Sequence, residues 1–195
     1  MYKNIADSLA TLLSANKVID INKQEAYSYG LELFLFKLTL YIIILTISLL
    51  TGSFLISLVF TASYMLLRQY TGGYHCKTPE ACMLTSILIY TFMLFLYNLE
   101  LNTPILFFFV IITISYLIII LKAPIENENN PLDIDEIKKY RIFSIIISTL
   151  LTALSILSFI FDFKEFAFPI SYTLTADAVL LLITPRRKKN EENNS

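Results

Sequence analysis

The runs LTLYIIILTISLL and FFFVIITISYLIII constrain this chain more than any other feature. Neither contains a charge, and each approaches the roughly 20 apolar residues that a helix needs to cross about 30 Å of hydrocarbon. A barrel is the other structure that satisfies its backbone in lipid, but it would need alternating strands of about ten residues. With 56% of its 195 residues hydrophobic and a mean hydropathy of +0.65, the chain is too apolar for a small soluble domain. The expected fold class is an all-α integral membrane protein with about six transmembrane helices and an N-terminal amphipathic helix.

The spans read as Leu31–Leu50, Phe54–Leu67, Cys82–Asn98, Pro104–Leu121, Ile142–Phe161 and Phe166–Thr184. The second is the shortest unless Thr51 to Ser53 are drawn in. No repeat or linker divides the chain, which reads as one domain over 1–195. Residues 1–30 form an interfacial segment, 31–184 the six-span bundle, and 185–195 a basic then polar tail. Ile5, Leu9, Leu12 and Leu13 fall at helical spacing in the first segment, as in a helix lying on a lipid surface. That segment has no continuous apolar core and no small-residue cleavage site, so it is not read as a secretory signal.

An even number of spans places both termini on one side. All but Lys37 and Lys164 of the 15 Lys and Arg residues then fall on that same side. The positive-inside rule makes it cytoplasmic. The net charge of −1 points to no nucleic acid; the expected surroundings are membrane lipids.

The polar segment RQYTGGYHCKTPEAC holds the only histidine, His75, both cysteines, Cys76 and Cys82, and two of the four glycines. In a reducing cytoplasm the cysteines are thiols rather than a disulfide. Thr78-Pro79-Glu80 is a helix-start signal, with a hydroxyl at the N-cap and proline at the first helical position. Cys82 then falls where unpaired amides and the positive end of the helix dipole favour a thiolate, although Glu80 opposes this. Gly72 and Gly73 permit a sharp turn that would bring His75 back toward Cys82. A cysteine with a histidine base is a nucleophile for acyl transfer. Arg68, Gln69 or loop amides would hold the substrate or the oxyanion. Two other readings stay open on spacing alone. One is a loop histidine and a helix cysteine with no joint role. The other is a metal site from His75, Cys76 and Cys82, which lacks a fourth ligand. No cofactor or metal is expected.

Arg68, the pair Gly72-Gly73, His75 and a cysteine seven residues beyond it, Cys82, resemble the accessory gene regulator B (AgrB) family of membrane peptidases. YGLELFLFK before the first span, KAPIENENNPL after the fourth, the six-span plan and the chain length extend the similarity over nearly the whole chain. The resemblance implies a cysteine endopeptidase of peptide quorum sensing, with His75 and Cys82 as a catalytic dyad and Arg68 and Gly73 as supports. Its implied substrate is an AgrD-like precursor, cut on its C-terminal side through an acyl-enzyme thioester. An internal cysteine or serine would then close a thiolactone or lactone ring. A homodimer in the bacterial cell membrane is also implied. The competing function is a non-catalytic transporter or exporter of a small peptide.

Two charges lie inside the spans. Lys37 is about 9 Å from the start of the first and Asp177 about 10 Å from the end of the sixth, at 1.5 Å per residue. Lone charges in lipid are costly, so equal depth points to a Lys37–Asp177 pair across the bundle; the alternative is that Lys37 snorkels and Asp177 hydrogen-bonds to neighbouring Thr and Ser residues.

Overall fold

A computed structural model describes residues 2–72, 78–99, 104–125 and 133–184. Seven α-helices follow one another among them: α1 (Tyr2–Ala15), α2 (Gln24–Leu50), α3 (Phe54–Thr71), α4 (Pro79–Asn98), α5 (Ile105–Lys122), α6 (Ile134–Ile160) and α7 (Lys164–Ile183). The only other pairing of note among the described residues is an isolated parallel bridge between Gly72 and Ile125. Five helices, α2 and α4 to α7, are long and apolar enough to cross a membrane. The sixth, α3, has 18 residues but carries Arg68 and Gln69 in its last turn. The chain is thus an all-α, multi-pass membrane protein. Some leucine, isoleucine and phenylalanine side chains are exposed along every long helix, as suits lipid-facing positions, because lipid tails are as apolar as they are.

The described residues group into two compact units, one from Met1–Gly52 with Cys76–Phe92, the other from Ser53–His75 with Met93–Ser195. In the first, α1 runs antiparallel along α2. Small residues bring the helices together: Ala6 and Ala10 are fully buried on the face toward α2. A ladder of polar contacts sets the register. The Tyr2 hydroxyl donates to Thr39 Oγ1 at 3.1 Å, the Ser28 hydroxyl to Asp7, and Gln24 Nε2 to Thr11 Oγ1 at 3.0 Å. The Tyr2 and Phe36 rings lie 4.3 Å apart. Of the apolar stripe read from the sequence, Ile5, Leu9 and Leu12 stay exposed on the opposite side, while Leu13 is half-buried. Farther along, the buried Tyr90 of α4 donates to the carbonyl of Ile44 at 3.4 Å.

The second unit is organised around α7, half of whose most apolar window is buried against 17% in α2 and α4. It packs against α3, α5 and α6. Two seams carry small or polar residues. Along α6, Ser144, Ser148, Leu151, Ser155 and Ser158 are buried, a four-then-three spacing that keeps one face inward. Small side chains let the helix backbones approach closely, and Ser155 donates to the carbonyl of Ala167 on α7 at 3.0 Å. The other seam joins α3 to α7, with Ser63 and Thr173 hydrogen-bonded at 3.1 Å. On the opposite flank Ser115 of α5 reaches Thr175 at 3.3 Å. Phe108 of α5 stacks on Phe159 of α6 at 4.1 Å. At the other end Tyr70 of α3 stacks on Phe143 at 5.1 Å and meets Tyr140 edge-on at 5.8 Å.

Helix ends differ from the spans in instructive places. α2 begins at Gln24, seven residues before the apolar run, because α1 supplies partners for its polar first turns. α6 begins at Ile134 because Asp133 and Glu136 form a reciprocal capping box. At about 1.5 Å per residue, these two helices are each roughly 40 Å long, more than a hydrocarbon core requires.

Candidate active site

Cys82 sits in the first turn of α4. The helix opens at Pro79, whose missing N–H falls where no intrahelical partner exists. The Thr78 hydroxyl accepts from the amide of Ala81 at 3.3 Å, and the Thr78 carbonyl accepts the amide of Cys82 at 3.1 Å. Thr78 is therefore the N-cap and Cys82 the fourth helical residue. Its thiol is half-buried, while Thr78, Pro79, Glu80 and Ala81 around it are exposed. A thiolate there lies near the helix's positive end, with the Glu80 carboxylate as the opposing charge. Gly73, His75 and Cys76 lie outside the described residues, as does the whole stretch 73–77.

Arg68, Gln69 and Gly72 belong to the second unit and are built on the end of α3. Gln69 is exposed. Arg68 turns inward: its Nη1 lies 3.4 Å from Oδ1 of Asp177 on α7, and the pair is 17% and 1% exposed. Thr71, fully buried one turn on, donates to the same oxygen at 3.2 Å. The second oxygen, Oδ2, is buried with no hydrogen-bond partner among the described residues. Asp177 is thus paired with Arg68 inside this unit, while Lys37, which belongs to the first unit, is exposed. The reason is helix neighbourhood. α3 and α7 run parallel and in contact, with Ser63 opposite Thr173 and Thr71 opposite Asp177. Thr71 and Arg68 are one turn apart on α3, so both face the carboxylate. A periodic signal for this existed in the sequence: Ser63 and Thr71, like Thr173 and Asp177, are polar residues at multiples of four within apolar helices.

Gly72 ends α3 with φ 65° and ψ −136°, a backbone state that side-chain-bearing residues avoid. Its Cα faces the Ile125 carbonyl so closely that an added Cβ would collide with that oxygen. The Ile125 amide donates to the carbonyl of Thr71 at 3.0 Å. The chain beyond α5 is therefore stitched to the end of α3.

These features define a multi-pass helical membrane protein with a thiol at a helix start and an ion pair inside its helix bundle. Comparison with known proteins then gives the family. A family model for Accessory gene regulator B matches residues 6–184, and the chain belongs to that family. Accessory gene regulator protein B of Staphylococcus aureus strain bovine RF122 / ET3-1 is 29% identical over 157 residues, 80% of this chain and 83% of the relative. The protein of the same name from S. aureus strain N315 is 28% identical over the same shares. That from strain MRSA252 is 24% identical over 151 residues, 77% of this chain and 80% of its own. No solved structure matches.

Proposed function

We propose that the protein is a cysteine endopeptidase of peptide quorum sensing that cuts an AgrD-like precursor on its C-terminal side and promotes cyclisation of the product. The observation that carries this reading is Cys82 in the first turn of α4, half-buried behind a capped, proline-led helix start, in a chain of the AgrB family. In the proposed reaction His75 takes the Cys82 proton, and the thiolate adds to the scissile carbonyl. The tetrahedral adduct collapses as the imidazolium protonates the departing amine, leaving the upstream peptide as a thioester on Cys82. A cysteine or serine within that peptide then attacks the thioester, releases the Cys82 thiol and closes a thiolactone or lactone. A shielded site favours this closure over hydrolysis.

The distribution of Lys and Arg supports placing both termini and the active site on the cytoplasmic side of the cell membrane. There the exposed Ile5, Leu9 and Leu12 stripe of α1 would meet lipid. A homodimer is the assembly the family resemblance implies.

The test is reconstitution in liposomes with an AgrD-type precursor, followed by mass spectrometry. Wild type and Cys76→Ala should cut, Cys82→Ala and His75→Ala should not, and a thioester adduct should map to Cys82. Cleavage by Cys82→Ala at the wild-type rate would refute the peptidase assignment and return the reading to a peptide exporter.

A further inference from the structure

We propose that Asp177 is a positioning residue for the peptidase: with Arg68 and Thr71 it fixes the end of α3, and so the point from which the chain departs toward His75. The inference rests on the peptidase reading above. Its physical basis lies wholly within the second unit.

Two elements converge on the last turn of α3. From α7, one carboxylate oxygen of Asp177 holds Arg68 at 3.4 Å and Thr71 at 3.2 Å. From the segment after α5, the Ile125 amide holds the Thr71 carbonyl at 3.0 Å, and Ile125 bridges Gly72. Gly72 then turns the chain with a backbone angle and a clearance that only glycine meets. His75 follows three residues later, so at most about 10 Å of extended backbone separates this fixture from the Cα of the histidine.

Stability alone is a poor reason for such a fixture. A buried ion pair is often matched or bettered by apolar residues of similar volume. This one also leaves Oδ2 buried without a partner among the described residues, a cost that apolar packing would avoid. What the pair supplies and apolar residues cannot is direction. The carboxylate accepts from two donors on adjacent turns and so sets both the rotation and the height of α3's end.

The experiment uses full-length protein in liposomes with an AgrD-type precursor, comparing wild type, Asp177→Asn, Thr71→Val, His75→Ala and Cys82→Ala. A misplacement on the ångström scale costs up to about a hundredfold in rate. Asp177→Asn should therefore lose at least about tenfold in kcat, with KM changed less than about threefold. A second readout needs no precursor. In a Cys76→Ala background, the pH profile of Cys82 alkylation by iodoacetamide should move in Asp177→Asn toward the profile of His75→Ala. A kcat within about twofold of wild type in folded Asp177→Asn, with an unchanged alkylation profile, overturns the inference while the peptidase reading stands. If Asp177→Asn does not fold, Thr71→Val decides: a loss of at least about threefold in kcat supports the fixture, and no loss overturns it. Cleavage by Cys82→Ala at the wild-type rate removes the peptidase reading and this inference together.

Discussion

Replacing the Arg68–Asp177 pair by apolar residues separates what it does for stability from what it does for the site. Arg68→Met leaves a carboxylate that is 1% exposed with Thr71 as its remaining donor. Removing one partner of a buried pair costs about 3–5 kcal/mol. The lower end applies here, since Arg68 keeps 17% of its surface exposed and the 3.4 Å contact is long for a charge-assisted bond. For a chain of this length, each kcal/mol moves the midpoint by roughly 2–4 °C. Arg68→Met should thus lower the melting temperature by roughly 6–12 °C. Asp177→Leu, which strands Arg68 instead, should fall by a similar or smaller amount because a long arginine can reach toward water. The double variant Arg68→Met/Asp177→Leu should return to within about 3 °C of wild type, since apolar replacement of a whole buried pair is near neutral. The assay is fluorescence-detected size-exclusion of a heated, detergent-solubilised fusion protein, suited to a chain that has no tryptophan. Single variants that each shift less than about 2 °C, or a double variant as destabilised as the sum of the singles, would refute the account. Recovered stability without recovered cleavage is the expected signature of positioning.

Other outcomes follow from the same geometry. Gly72→Ala sets a Cβ against the Ile125 carbonyl at a positive φ; precursor cleavage should fall more than about tenfold, read by mass spectrometry against protein abundance. Ser148→Leu overfills the buried face of α6 and should cost about 1–3 kcal/mol, whereas Ser148→Ala should melt near wild type in the same assay. Tyr2→Phe removes the hydrogen bond to Thr39 and should loosen α1 by about 1 kcal/mol, seen as faster amide exchange in α1 but not in α7. Lys37→Gln, at an exposed position, should leave thermal stability within about 2 °C.

Much of the fold was legible because hydropathy in a membrane chain reports on solvent rather than on packing. The apolar runs of α2, α4, α5, α6 and α7 were found for that reason. Where helices continue past the apolar run, hydropathy is blind. α3 runs on past Leu67 to Thr71 because Asp177 receives Arg68 and Thr71, and Tyr140 and Phe143 receive Tyr70. The start of α6 was legible and missed: Asp133 and Glu136 have capping-box spacing, but their charge made the stretch look like loop. The helix start before Cys82 could be read because Thr78 and Pro79 act locally. The Arg68–Asp177 pair could not, since Arg68 lies past the end of its apolar run and only the adjacency of α3 and α7 brings it to Asp177.

The arrangement around α7 also bears on how the protein is made. The helix that gathers α3, α5 and α6 is the last of the seven to leave the ribosome, and Arg68 precedes its counter-ion by 109 residues. At about 5–20 residues per second, the arginine waits roughly 5–20 s for Asp177 to be synthesised. During that interval α3 must hold a cation near its end with no carboxylate to receive it, and its length lets the side chain reach the headgroups. The second unit therefore closes only after translation of the last helix, and a ribosome stalled before Asp177 would leave α3 shallow, unlatched and open to quality-control proteolysis.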